Sequence, residues 1–299
     1  MSESDWISHP VGFHRMSSIL RYGLVIGVVM GLSGPHLAAG FFGRTPSPAS
    51  GIATGTGSPT TGRNRPVPNE ISLRPAANGP LVWVLDGAGD LRGCSTAMSQ
   101  ANTLVGNSVE LVPFSWSHGY RRLLLDQTDL PHARTQGARL AVVIRERQAL
   151  EPGRRVVIVA HSAGCAVALA AGETLPPDSI DRMILLAPSV STGYDIRPAM
   201  EAAREGLDVF CSKKDWVALG LVTRVVGTTD RHWTRAAGRH GFVVRDPVAA
   251  AEVEAGRLRQ HFWSAELAWT GNTGGHHGML TPAFLRTYLF PLVEPGSAF

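Results

Sequence analysis

Arg155–Gly172 reads RVVIVAHSAGCAVALAAG, and this stretch decides the fold. It opens on a run of valine and isoleucine, Arg155 to Ala160, whose β-branched side chains suit a strand buried on both faces. From Ala163 to Gly172 it turns alanine-rich, a composition that favours helix. Between the two lies Ala160-His161-Ser162-Ala163-Gly164. The residues two before and two after the serine are small, so a strand can turn sharply into a helix and hold the hydroxyl beyond the end of the sheet. The usual form of this turn has glycine on both flanks; here the first is Ala160, the next smallest residue.

The same strand–helix alternation continues outward in both directions. Leu81–Leu85 (LVWVL), Val109–Trp116, Met183–Ala187, Leu207–Cys211 and Arg257–Trp263 read as further strands. Ser95–Leu104, Ala133–Leu150, Arg197–Glu205 and Pro282–Leu292 read as helices. Continuous apolar strands separated by helices predict a mostly parallel α/β sheet covered on both faces. Ligands bind such sheets beyond the carboxyl ends of the strands, so residues just after strands carry the functional weight.

Ser162 in this strand–turn–helix setting resembles the nucleophile of the α/β-hydrolase superfamily, and the resemblance spans residues 80–299. It implies an esterase- or lipase-like serine hydrolase whose catalytic residues follow in the order Ser, acid, His. A serine hydroxyl needs a base to become a nucleophile. After the strand Leu207–Cys211 comes Ser212-Lys213-Lys214-Asp215, which puts Asp215 at the family's acid position, there to orient the imidazole and stabilise its charged form. Asp230 is the fallback acid, and Asp208 lies within the strand itself. The base belongs in a late loop before the closing helix, where Gly274-Gly275-His276-His277-Gly278 stands. His276, with apolar Leu280 four positions on, fits the family pattern; His277 competes with it. The resemblance assigns the oxyanion hole to the backbone N–H groups of Ala163 and Ala88, the latter in Asp86-Gly87-Ala88-Gly89-Asp90. Many members carry His-Gly where this chain has Asp86-Gly87, and Asp86 either braces the loop or contacts substrate.

Residues 188–206 are the whole connection between the fourth and fifth strands, too short for the large cap that bigger members insert there. The site is expected to be open. Val217–Thr229 (VALGLVTRVVGTT) is apolar and follows Asp215; it walls an acyl pocket or is plain core. Asp230–Phe242 reads as a solvated basic and aromatic loop.

The N-terminus reads as targeting rather than fold. Leu20–Phe42 is nearly uncharged, follows Arg15, and ends on small residues at Ala38 and Ala39, the layout of a secretory signal. Met16 is an alternative start. A retained membrane anchor is the second reading of residues 1–42, weakened by Gly31, Gly34 and Pro35. No cysteine lies near the cleavage region, so lipid modification there is not supported. Residues 43–78 are rich in Pro, Ser, Thr and Gly and carry too few apolar side chains to fold; they are expected to tether a catalytic domain at 79–299.

Hydrophobic residues make up 44% of the chain and charged ones 17%, which suits a sizeable core. A net charge of +4, spread as scattered arginines, gives no reason to expect a nucleic-acid partner. Cys94, Cys165 and Cys211 show no metal-binding spacing, and there is no dinucleotide motif, so no metal or cofactor is expected. Small buried thiols are the simplest reading of the three; a Cys94–Cys211 bridge is the alternative. The expectation is therefore an exported hydrolase of a small or lipid-like carboxylic ester. Amidase, thioesterase and acyltransferase chemistry share the same triad, and a non-catalytic binding module shares the same fold.

Overall fold

The structure is a computed structural model and describes residues 79–215 and 227–294. The expected signal or anchor, the tether, and residues 217–226 of the candidate acyl wall lie outside the described residues. Six strands form one parallel sheet in the order β2-β1-β3-β4-β5-β6. They are β1 Leu81–Leu85, β2 Glu110–Pro113, β3 Val156–His161, β4 Arg182–Leu186, β5 Leu207–Cys211 and β6 Leu258–Phe262. The helices are α1 Gly93–Leu104, α2 Leu123–Thr128, α3 Leu130–Leu150, α4 Gly164–Gly172, α5 Arg197–Ala202, α6 Ala237–His240 and α7 Pro247–Glu254. A closing helix, α8, runs over residues 282–293, with a π-helical turn at Leu285–Leu289 between Pro282–Phe284 and Phe290–Val293.

This is the mostly parallel, two-face-covered α/β sheet that the strand–helix alternation predicts, and its layers follow from the chain path. The chain steps outward from β1 to β2, then crosses back to β3 and continues the other way. Right-handed crossovers in opposite directions put helices on opposite faces. Residues alternate accordingly along each central strand. Trp83, Leu85, Ile158 and Ala160 pack into one core with Leu140 of α3 and Val167 of α4. Val82, Val84, Val157 and Val159 pack into the other with Met98 of α1 and Phe284 of α8. The sheet reverses direction between β1 and β3, and ligands of open α/β sheets bind at that reversal.

Several boundaries differ from the sequence reading. The second strand is only Glu110–Pro113 because it is an edge strand with β1 alone beside it. The helix expected to reach Glu205 ends at Ala202, where Ala203 bridges Ile180. The π turn in α8 precedes Pro291, which has no N–H to continue the ladder; Phe290 N–H reaches back to Leu285 instead. A Cys94–Cys211 bridge is excluded, since all three cysteines are free. Cys94 and Cys211 belong to the cores on opposite faces of the sheet. Asp230–Phe242 is solvated only over residues 231–235, which are exposed; Asp230, Ala236, Ala237 and Phe242 are buried. Asp230 accepts Ser191 N–H at 2.8 Å, so it braces the segment after β4.

Candidate active site

Ser162 follows β3 directly and precedes α4. Its φ of 54° is in the left-handed region, where an L-residue with a Cβ is strained. The neighbours impose that conformation. Ser162 N–H donates to Leu186 O at 2.9 Å, and the Ser162 carbonyl accepts from Cys165 N–H at 3.1 Å. Gly164 is required, because a Cβ there would stand 2.4 Å from Asp86 O. Ala160 is fully buried within β3, so its methyl group fits a position where glycine is usual.

The hydroxyl of Ser162 meets a base and the base meets an acid. Ser162 Oγ lies 2.8 Å from His276 Nε2, and His276 Nδ1 lies 2.5 Å from Asp215 Oδ2. Asp215 is buried and follows β5, whereas His276 follows β6 in the loop before α8. The structure thus brings together the three residues that sequence order singled out. His277 does not join them: its ring packs edge-on against His276 at 5.2 Å. Nor does Asp230, which pairs with Ser191 and His232. Asp208 sits in a buried ion-pair cluster with Arg182, Arg259 and His261.

Four contacts that sequence reasoning missed pin the histidine loop. Ser212 Oγ donates to Gly274 O at 2.5 Å, which ties the acid loop to the base loop. Trp263 Nε1 donates to Asn272 O at 2.8 Å, and Gly274 N–H donates to Asn272 Oδ1 at 3.0 Å. The fourth is His161, the residue just before the serine. It is buried, and its Nε2–H donates to the carbonyl of His276 at 3.1 Å. Burial, together with the neighbouring His276 and His277, holds its pKa well below the ordinary histidine value. His161 is therefore neutral near pH 7, with its proton on Nε2, a fixed support for the histidine loop rather than a second base. Only adjacency to Ser162 marked it in the sequence, because its partner lies 115 residues away.

The loop after β1 closes the other side. A Cβ on Gly87 would lie 3.3 Å from Ser162 Cβ, so the loop approaches the serine as closely as glycine allows. Ala163 follows the serine and immediately precedes α4. Among the described residues, no loop or cap hydrogen bond uses the N–H of Ala88 or Ala163. Asp86 braces its own loop: its Oδ1 accepts Cys94 N–H at 2.7 Å and Ser95 N–H at 3.0 Å at the start of α1. The three thiols are no rival nucleophiles, since burial pushes Cys94, Cys165 and Cys211 up, the last to about 12.

The chain matches no family model and no curated protein. Among solved structures it is similar to an esterase from Pyrococcus furiosus, at 10% identity over 73% of this chain and 80% of that one, TM-score 0.40. It is similar to a lipase from Bacillus licheniformis, at 14% identity over 74% and 94%, TM-score 0.38. A predicted CIB-like hydrolase from Thermoplasma acidophilum is similar at 16% identity over 73% and 88%, TM-score 0.39.

Proposed function

We propose that this protein is a serine hydrolase that cleaves carboxylic esters through an acyl-enzyme on Ser162. The observation that carries the reading is the hydrogen-bonded chain Ser162–His276–Asp215, assembled after β3, β5 and β6. His276 Nε2 takes the hydroxyl proton as Ser162 Oγ attacks the ester carbonyl. Asp215 keeps the His276 Nδ1 proton in place and stabilises the imidazolium. The carbonyl oxygen becomes an oxyanion that the Ala88 and Ala163 amides receive. His276 then returns the proton to the departing alkoxide, which leaves as an alcohol. Water, deprotonated by the same imidazole, attacks the acyl-enzyme; collapse of the second tetrahedral adduct releases the acid and restores Ser162.

The segment between β4 and β5 contains only the short α5, which favours an open site and small or lipid-like esters over substrates that need an enclosing cap. We assign the domain to the outside of the cytoplasm on the basic–apolar–small pattern of residues 15–39, secreted or held at a membrane. The test is a chain-length series of nitrophenyl esters. Steady turnover by the wild type, lost in Ser162→Ala, supports the reading; equal rates in the two proteins contradict it. An optimum at short acyl chains marks an esterase, and one at long chains marks a lipase-like enzyme.

A further inference from the structure

The loop carrying Ala88 is not held by its own backbone preference. Gly89 (φ 83°), Asp90 (φ 49°) and Arg92 (φ 53°) all lie in the left-handed region, two of them without the freedom of glycine. Side-chain contacts must fix it. At its C-terminal end, the Asp86 carboxyl group grips the start of α1 as described. In its middle the grip comes from Asp126 in α2, whose side chain is fully buried.

Asp126 accepts on both of its carboxylate oxygens. Oδ2 accepts Gly89 N–H at 2.6 Å and Ser117 Oγ–H at 2.5 Å. Oδ1 accepts His118 N–H at 2.9 Å and lies 2.8 Å from His118 Nδ1. The Gly89 carbonyl in turn accepts Arg121 N–H at 2.8 Å. His118 stacks on His132 at 3.8 Å, His132 Nε2 lies 2.7 Å from Trp116 O, and Trp116 Nε1 donates to Asp86 O at 2.9 Å. The contacts close a ring from Asp86 through Trp116, His132, His118 and Asp126 back to Gly89. Gly89 N–H belongs to the peptide plane that joins Ala88 to Gly89. Ala88 N–H belongs to the neighbouring Gly87–Ala88 peptide; fixing the Ala88–Gly89 plane on one side and Asp86 on the other pins both ends of that peptide and limits where the Ala88 amide can turn.

We propose that Asp126 is a positioning residue for the oxyanion loop: it touches neither Ser162 nor substrate, and acts by holding the Ala88–Gly89 peptide so that Ala88 N–H faces the forming oxyanion. The inference rests on the hydrolytic reading of Ser162. Only a carboxylate meets the demand, because both its oxygens accept. An asparagine amide turns an NH2 donor toward either the Gly89 and Ser117 donors or the His118 N–H, and one side of the clasp is lost.

The experiment uses the full chain, a nitrophenyl ester, and an alkyl boronic acid that forms a tetrahedral adduct on the serine. For Asp126→Asn the expected result is a fall in kcat of about 100-fold, since a displacement on the order of 1 Å of a catalytic donor has that scale of effect. KM stays within about twofold, because ground-state binding does not use the donor. Boronate affinity weakens by the same factor as kcat/KM. Wild-type kcat and boronate affinity in a folded Asp126→Asn protein, even one of lowered melting temperature, overturn the proposal and leave Asp126 a structural residue. If that variant does not fold, the wild type labelled with 15N-glycine decides. Slow exchange of the Gly89 amide, with and without boronate, supports the clasp, whereas exchange at the rate of an open loop overturns it. A folded wild type inert to both ester and boronate overturns the hydrolytic reading itself and this inference with it, a result distinct from any change confined to the variant.

Discussion

His276 is the residue on which two pairings converge, and its neighbour His277 tests the assignment. Both stand in one glycine-flanked loop, and in the sequence only the spacing to Leu280, four positions after His276, separates them. The structure does, through Asp215 on one ring nitrogen and Ser162 on the other. His276→Ala is expected to lower kcat by about 10⁴-fold or more, the scale seen when a triad histidine or its partner is removed. His277→Ala keeps kcat within about tenfold, because its ring only packs beside the base. Ester kinetics of the two variants check this, and the reverse order of activities would refute it. His161 makes a prediction about pH. The unfolded chain protonates this residue below about pH 6.5, while the folded protein keeps it neutral to a lower pH. Its contribution to stability is therefore complete above that pH and is lost as the pH falls toward the depressed folded value. The slope reaches about 1.4 kcal/mol per pH unit for one proton. Urea unfolding of wild type and His161→Gln from about pH 7.5 down to about 5 should show a shallower slope in the variant; parallel curves contradict the buried neutral state. Ser162 and Asp215 were legible because each stands just after a strand, and His276 because it lies in a glycine-rich loop before the closing helix. His161, Ser212 and Asn272 were not, because their work is done through contacts between loops that no local pattern records.

At the scale of elements, close approach of helices dictates where glycine stands. A Cβ on Gly137 of α3 would lie 2.6 Å from Ala170 Cβ and 2.7 Å from Ala171 N of α4. Ser162 stands two residues before α4, so the small-residue seam also sets the height of the turn that holds it. Gly137→Ala should cost about 1–3 kcal/mol through overpacking despite its better helix propensity. A denaturant midpoint that rises in this variant would show that the helices are not in contact. The central strands were readable to within a residue, because runs of apolar β-branched residues are unambiguous where both faces are buried. The edges were not. β2 pairs with one neighbour only, and α2, α6 and α7 are too short for a helical period to show. The chain around Asp230 looked solvated because its polar residues gave no sign that Asp230 would bond Ser191, 39 positions earlier.

At the scale of the molecule, the sheet reverses between β1 and β3, and the strands on either side of that reversal deliver the Gly87–Ala88 loop and Ser162 to one place. The far end of the sheet is held by charge. Burial pushes Asp208 up, but His261, Arg259 and Arg182 outweigh it and hold its carboxyl well below the usual carboxylate range. The stability this cluster supplies is present above the ordinary carboxylate pKa and is lost as acid approaches the depressed value. The sequence marks residues 43–78 as too poor in apolar side chains to fold, so a chain beginning at Gly79 should keep the ester turnover of the full chain; loss of folding on truncation would show that the N-terminal segment belongs to the domain. The most direct test of the account is mass spectrometry of the full chain after exposure to a fluorophosphonate. A single adduct mapping to Ser162 in the wild type, absent from Ser162→Ala, is the predicted result. A folded wild type that stays unlabelled, or carries its adduct on another residue, would contradict it.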